Sequence, residues 1–466
     1  MKRVFVFCIG GTGLRVMKSI TMLMASGMST NGYTVVPIIL DPHLDLDEKK
    51  NLHQLLDRYI DIYNKSVYNG TQTLNPLKGF FNSKMELLEQ INNQNNDTHQ
   101  EVGHEEQFGA YIGRSNLGIN DINNFFVDTL FSTKNLNNPL SVGFKGNPNV
   151  GTVVLGDMIE GADWFKAFKD HCEDNDRVFI IGSIFGGTGA SGYPLIEKKI
   201  RDSDDSPAVK NVTMGAVTVL PYFGLKDPTT NNSDIDSANF YTKTKAALAY
   251  YASGKLKSDF LYYIGEKSLR RAYENDEAKQ DDKAHFIELV AASALFDFLT
   301  RAKPQTPQYL SRAIENDVDS LDLTSLGTGY RDIVKTVADY MVLRLLVEQL
   351  PKEKFFPLKT SRGFDNKFYK DSAFKSLEAF TEMYFNWYTE LATNSRAFAP
   401  LHYDDPKNMS SWIKGLELDA NDDSYYLLNM IKASNATKKE EHSNKFRFFL
   451  QFAHDSINSF TKKIYR

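Results

Sequence analysis

The stretch Val178–Ile200, "VFIIGSIFGGTGASGYPLIEKKI", decides how this chain is read. An apolar run stops at Gly186, Gly187 and Gly189, with Thr188 among them, and helical spacing of apolar residues follows from Tyr193. Glycine takes positive φ and lets another group approach where a Cβ would clash. The start of a helix leaves N–H donors unpaired and carries partial positive charge. A buried strand, a glycine cluster and a helix start in succession therefore make a seat for an anion, and the usual anion is a phosphate.

The N-terminus repeats the design. "CIGGTGLRVMKSI", Cys8–Ile20, follows the apolar run Val4–Ile9 and carries the same G-G-T-G, here Gly10, Gly11, Thr12 and Gly13. Thr12, Thr188 and Ser191 add hydroxyl donors that a plain tight turn does not need. Two such seats on one sheet imply a ligand with several phosphates, hence a nucleotide. The plainer alternative is that both glycine clusters only make tight strand-to-helix turns.

Composition narrows the field. The 54 basic and 59 acidic residues are mixed along the chain and leave a net charge of -5, so no basic stripe points to nucleic acid as a partner. The two cysteines, Cys8 and Cys172, are too few and too far apart for a disulfide framework or a metal cluster, which points to a reducing compartment. The apolar part of the N-terminus ends in glycines and reads as a first strand rather than a signal peptide. No run approaches the roughly 18 apolar residues of a membrane span. The expected location is the cytoplasm.

The order of elements predicts an α/β fold. Val4–Ile9 and Tyr33–Leu40 read as strands joined by a helix over Leu14–Ser26, an opening that favours a parallel sheet. A polar insertion covers about 44–145 and includes the asparagine-rich "INNQNNDTHQ" at 91–100. Alternation then resumes with strands at Arg177–Ile184, "VTMGAVTVLPYF" (212–223) and "DFLYYIG" (259–265), with helices between them and a long apolar helix from near Asp282. Past about residue 303 the spacing becomes helical. The expectation is a Rossmann-like parallel sheet over 1–302, followed by a mostly helical region over 303–466 that offers a surface for self-association or a protein partner.

Gly187, Gly189 and Gly192 fit the G-x-G-x-x-G of a dinucleotide site, but that site also wants an acid at the end of the next strand, and "VTVLPYF" supplies none. An NAD(P)-binding enzyme is therefore the second reading, and a scaffold with a degenerate pocket the third. The loop more closely resembles the G-G-G-T-G-[ST]-G of the tubulin/FtsZ superfamily. Phe185 stands at its first glycine, Ala190 at the small residue, Ser191 at the last glycine, and Pro194 at a proline that FtsZ carries in the following helix. The first loop resembles the N-terminal glycine loop of FtsZ, with Arg15 where FtsZ usually has asparagine. "IILDPH" (38–43) is similar to the segment ending N-T-D-A, which implies Asp41 near the phosphates or their magnesium. "KGNPNVG" (145–151) resembles the G-A-N-P-E-V-G of the γ-phosphate loop, and "QFGAYIGRSNL" (107–117), with Arg114, is a rival for that role.

By the same resemblance, Asn239 in "SANFYTKTKAAL" matches the asparagine of the tubulin N-A-x-L helix. Glu266 in "YYIGEKSL" stands where an asparagine reads guanine, and a carboxylate could accept from both N1–H and N2–H₂. Phe286 would stack on the purine from the central helix, with Glu288 a second carboxylate and His285 structural. The resemblance spans about residues 3–300 and implies GTP or GDP as ligand, with magnesium, and a cytoskeletal or switch role. It stops after the central helix. The acids of the FtsZ N-x-D-x-x-D loop are missing from "FDFLTRAKPQTPQYLSR" (296–312), where Asp297 lies within the helix. Hydrolysis is accordingly expected to be slow, and ordinary protofilaments are not expected.

Overall fold

A computed structural model of the chain describes residues 2–43, 47–70, 72–92, 105–118, 121–225, 238–266, 272–273, 275–276, 279–280, 283–314, 320–321, 330–351, 364–400 and 444–464. Six parallel strands form its central sheet: β1 (Lys2–Ile9), β2 (Tyr33–Leu40), β3 (Arg177–Ser183), β4 (Thr213–Val219), β5 (Phe260–Glu266) and β6 (Gln308–Ile314). Their order across the sheet is β6-β5-β4-β3-β1-β2. The principal helices are α1 (Gly10–Ala25), α2 (Asp47–Val67), α3 (Pro148–Ile159), α4 (Asp163–His171), α5 (Gly187–Arg201), α6 (Ala238–Ala252), α7 (Phe286–Thr300), α8 (Arg331–Gln349), α9 (Ser372–Thr393) and α10 (Lys445–Ile464).

The inner strands are near-continuous apolar runs because both faces of the sheet are covered. Phe5 and Phe7 project to one face, where their rings meet Phe168 and Trp164 of α4. Phe179 pairs with Val6 in register, on the opposite pleat, and packs on Phe298 of α7 with the rings tilted by 36°. The α/β architecture thus stands as the sequence predicts, in a parallel sheet with a helical C-terminal region.

Three features differ from expectation. The 44–145 segment contains a 21-residue amphipathic helix, α2, whose Leu52, Leu55, Leu56, Tyr59, Ile60 and Tyr63 are buried. The sheet gains β6 beyond residue 302. The C-terminal helices also do not stand apart: α9 and α10 pack on α2, α8 reaches α1, and Tyr340 of α8 stacks on Tyr384 of α9 at 3.9 Å between centroids. Among the described residues no helix is long and apolar enough to cross a membrane.

Helix α5 carries a titratable group whose behaviour is testable. Glu197 is 2% exposed, accepts the backbone amide of Lys257, and leaves its second oxygen without a hydrogen-bond partner. Burial pushes its carboxyl from an ordinary 4.5 up to about 7, against the pull of the Lys257 amide and Arg201. The folded protein therefore holds this proton more tightly than the unfolded chain does. Its contribution to stability is fully present below pH 4.5 and is lost as pH rises through about 7. Glu197→Gln is expected to remove a fall of order 3 kcal/mol across that window. Denaturant unfolding of both proteins at pH 5 and pH 8 checks it, and equal pH slopes would contradict it.

Candidate anion site at the carboxyl ends of β1 and β3

β1 and β3 are neighbours, and the chain leaves them in opposite directions, to β2 on one side and β4 on the other. Open α/β sheets bind their ligands in the crevice at such a switch point, outside the carboxyl ends of the strands. Both G-G-T-G clusters lie there. Each is the first turn of a helix rather than a loop before one, since α1 begins at Gly10 and α5 at Gly187.

The glycines bring backbone against backbone. Gly13 and Gly189 occupy equivalent positions, and an added Cβ would lie 2.6 Å from the carbonyl carbon of Cys8 and 2.5 Å from the carbonyl oxygen of Ser183. These two glycines seat each helix on its own strand, as the tight-turn alternative requires. Gly10, at φ +68°, faces Thr188, whose Cβ would be 3.2 Å from an added methyl. The two clusters therefore touch one another.

A third segment joins them. "KGNPNVG" packs on α5, with the backbone nitrogens of Gly146 and Asn147 each 3.0 Å from where a Cβ on Gly187 would stand, and Gly151 lies against Ser191. Lys145 holds φ +43°, sparsely populated for a residue with a side chain, and Gly146 follows at φ +73°. Lys243 of α6 donates to the Gly146 carbonyl at 2.6 Å. α3 starts at Pro148, so three helix N-termini meet at the crevice.

None of the three is closed by its own sequence. The residues before them, Ile9, Asn147 and Gly186, make no side-chain cap, and no acidic residue occupies any of the three first turns. By contrast, His285 and Asp371 cap α7 and α9. The site thus gathers helix-end N–H donors and partial positive charge with no carboxylate in those turns to cancel it.

The remaining expected residues divide. Gly11, Gly186, Thr188 and Ala190 are partly exposed at this crevice, while Thr12 is buried beside Arg15. The Ser191 hydroxyl donates to Gly187 and Thr188 carbonyls within α5, at 2.7 and 3.1 Å, rather than facing outward. Asp41 is buried and accepts the His43 amide at 2.9 Å. Burial raises its carboxyl, opposed by that amide and by His43, Lys49 and Arg15. Asn239 is the second residue of α6, and its side chain lies outside the described residues. Among those residues no group of three or more His, Cys, Asp or Glu is placed to hold a metal. Arg114 pairs with Asp128 at 2.6 Å in a cleft of about 940 Å³ lined by the insertion itself, including Gln107, Asp121 and Phe125.

Arg15, Glu266 and Phe286 are committed inside the fold. Arg15 Nε lies 2.7 Å from Glu288 Oε1, with Glu48 at 3.3 Å and the Tyr222 hydroxyl at 3.1 Å. Tyr222 donates to the same Glu288 oxygen at 2.6 Å, and the His285 amide donates to the other at 3.0 Å. Burial pushes Glu288 up, opposed by Arg15 and these hydrogen bonds. Glu266 is not a solvated strand end: its Oε1 is 2.8 Å from Arg396 Nε. Phe286 is fully buried and stacks on Phe398. Sequence reasoning missed Arg396, Tyr222 and Lys243. The pattern S/T-x-x-E does flag helix starts, and the His285–Glu288 box, with histidine as the cap, is its relative.

No family model matches the chain, and no curated protein does. Among solved structures it aligns with CetZ from Methanosaeta thermophila strain DSM 6194, at 13% identity and a TM-score of 0.28, over 72% of this chain and 60% of that one. The chain thus spans less than two thirds of the CetZ chain, and an alignment at this level assigns neither family nor activity.

Proposed function

We propose that the protein binds a nucleoside di- or triphosphate by its phosphate tail at the β1–β3 crevice and works as a tubulin/FtsZ-type switch or cytoskeletal component. The observation that carries this reading is the convergence of three uncapped helix N-termini, free of acidic residues, at the topological switch point of a parallel sheet. The motif order supports the superfamily part, since both glycine clusters and the "KGNPNVG" loop meet there. GTP or GDP is the first ligand to try, with magnesium. Hydrolysis on this reading is slow: Asp297, the acid nearest the expected catalytic loop, accepts Tyr262 at 2.7 Å and Arg301 at 2.5 Å within the fold. The helical C-terminal region is the surface for self-association or a partner.

Thermal unfolding with GTP and magnesium tests the binding. A ligand at 100 times its Kd stabilises by about 2.7 kcal/mol, a rise of a few degrees or less in a chain of this size. A rise with GTP or GDP is the expected result. No shift with GTP, GDP or ATP at millimolar concentration would overturn it.

A further inference from the structure

Selection of a nucleobase needs a ring face to stack on and a polar edge to pair with. The side chains that the sequence offers for both tasks are engaged by the chain itself. Phe286 stacks on Phe398 with centroids 5.2 Å apart and planes 17° from parallel, and the Tyr330 ring centroid lies 5.7 Å from that of Phe286. Glu266 and Arg396 form an ion pair whose side chains are 3% and 2% exposed, with His285 Nε2 3.8 Å from the second carboxylate oxygen.

Arg396 and Phe398 belong to one short segment tied down at both ends. Asn394 donates to the Ala284 carbonyl at 3.0 Å, just before α7, and Ala397–Phe398 pairs in parallel with Ser320–Leu321. Arg396 thus supplies the cation that faces Glu266, and Phe398 the ring that faces Phe286. Displacing this segment is unfavourable. An entering base would gain one stacking contact but would have to separate a buried ion pair and an existing aromatic stack. Backbone N–H groups at helix starts, in contrast, attract phosphate charge and are blind to the base.

We propose, resting on the phosphate-tail reading above, that the ligand class of this site is the polyphosphate chain itself: segment 394–398 stands in for a base, and the protein does not discriminate among nucleobases. Isothermal titration of the full chain in magnesium buffer with GTP, ATP, inorganic tripolyphosphate and guanosine tests it. GTP, ATP and tripolyphosphate are expected to bind within about tenfold of one another, a spread of ~1.4 kcal/mol, and guanosine to give no heat. GTP binding more than about tenfold tighter than both ATP and tripolyphosphate would overturn the proposal while leaving the phosphate site standing. Binding of the nucleotides without tripolyphosphate would also overturn it, because the sugar or base would then be read. Failure of all three polyphosphates would remove the site and this proposal together.

Discussion

Gly187→Val is expected to weaken binding of GTP by about 100-fold or more, ~2.7 kcal/mol, in a chain that still folds. The first atom of the new side chain would meet the backbone nitrogens of Gly146 and Asn147 and the Cβ of Phe144, each at 3.0 Å. Two of these are backbone atoms of the loop that brings the α3 N-terminus to the crevice, so they cannot rotate out of the way. The loop must retreat by a few tenths of an ångström for an alanine and further for the branched valine. Overpacking of this kind costs about 1–3 kcal/mol of stability, which circular dichroism and denaturant unfolding would register separately from binding. Gly187→Ala is expected to fall between wild type and valine. An unchanged Kd in the folded valine variant would mean that the α3 and α5 N-termini do not share a ligand.

Arg15→Met is expected to lower unfolding free energy by about 3–5 kcal/mol, because it strands a buried carboxylate. Arg15 is 4% exposed and serves Glu288, Glu48 and Tyr222 together. Without it Glu288 keeps the Tyr222 hydroxyl and the His285 amide but no adjacent cation from α1. Adding Glu288→Leu is expected to recover a large part of the loss, since removing both charges of a buried pair is often nearly neutral. Urea unfolding of the two variants checks this. A single variant within about 1 kcal/mol of wild type would show that the α1–α7 ion pair is not formed. The resemblance implies a nucleotide contact for Arg15; in the fold its guanidinium pairs with Glu288 and Glu48.

Much of the sheet was legible because its inner strands are buried on both faces and so read as unbroken apolar runs, from "VFVFCI" (4–9) to "RVFIIGS" (177–183). The sixth strand was not. "QYLSRAI" (308–314) pairs only with β5, at the edge, so its side chains carry no such run. In α2 the apolar spacing of Leu52, Leu55, Leu56, Tyr59 and Ile60 is present but interleaved with charged and polar residues, which lower the segment's overall hydrophobicity. The glycine clusters were legible as a motif, but the motif does not state their neighbours: Gly13 and Gly189 press on their own strands, and Gly10 on Thr188. Glu266 and Arg396 show why side-chain commitments fall outside sequence reading. They meet only because the C-terminal region folds back over the start of α7, and no spacing rule links the two positions.

The central claim is that the N–H groups opening α1, α3 and α5 hold one phosphate tail between them. The most direct measurement is a crystal structure of the full chain grown with magnesium and a non-hydrolysable GTP analogue. The account predicts phosphate oxygens within hydrogen-bond distance of backbone nitrogens in at least two of the three segments Gly10–Gly13, Gly146–Pro148 and Gly186–Gly189. Phosphates bound elsewhere on the molecule, or a crevice with no analogue at saturating concentration, would contradict it.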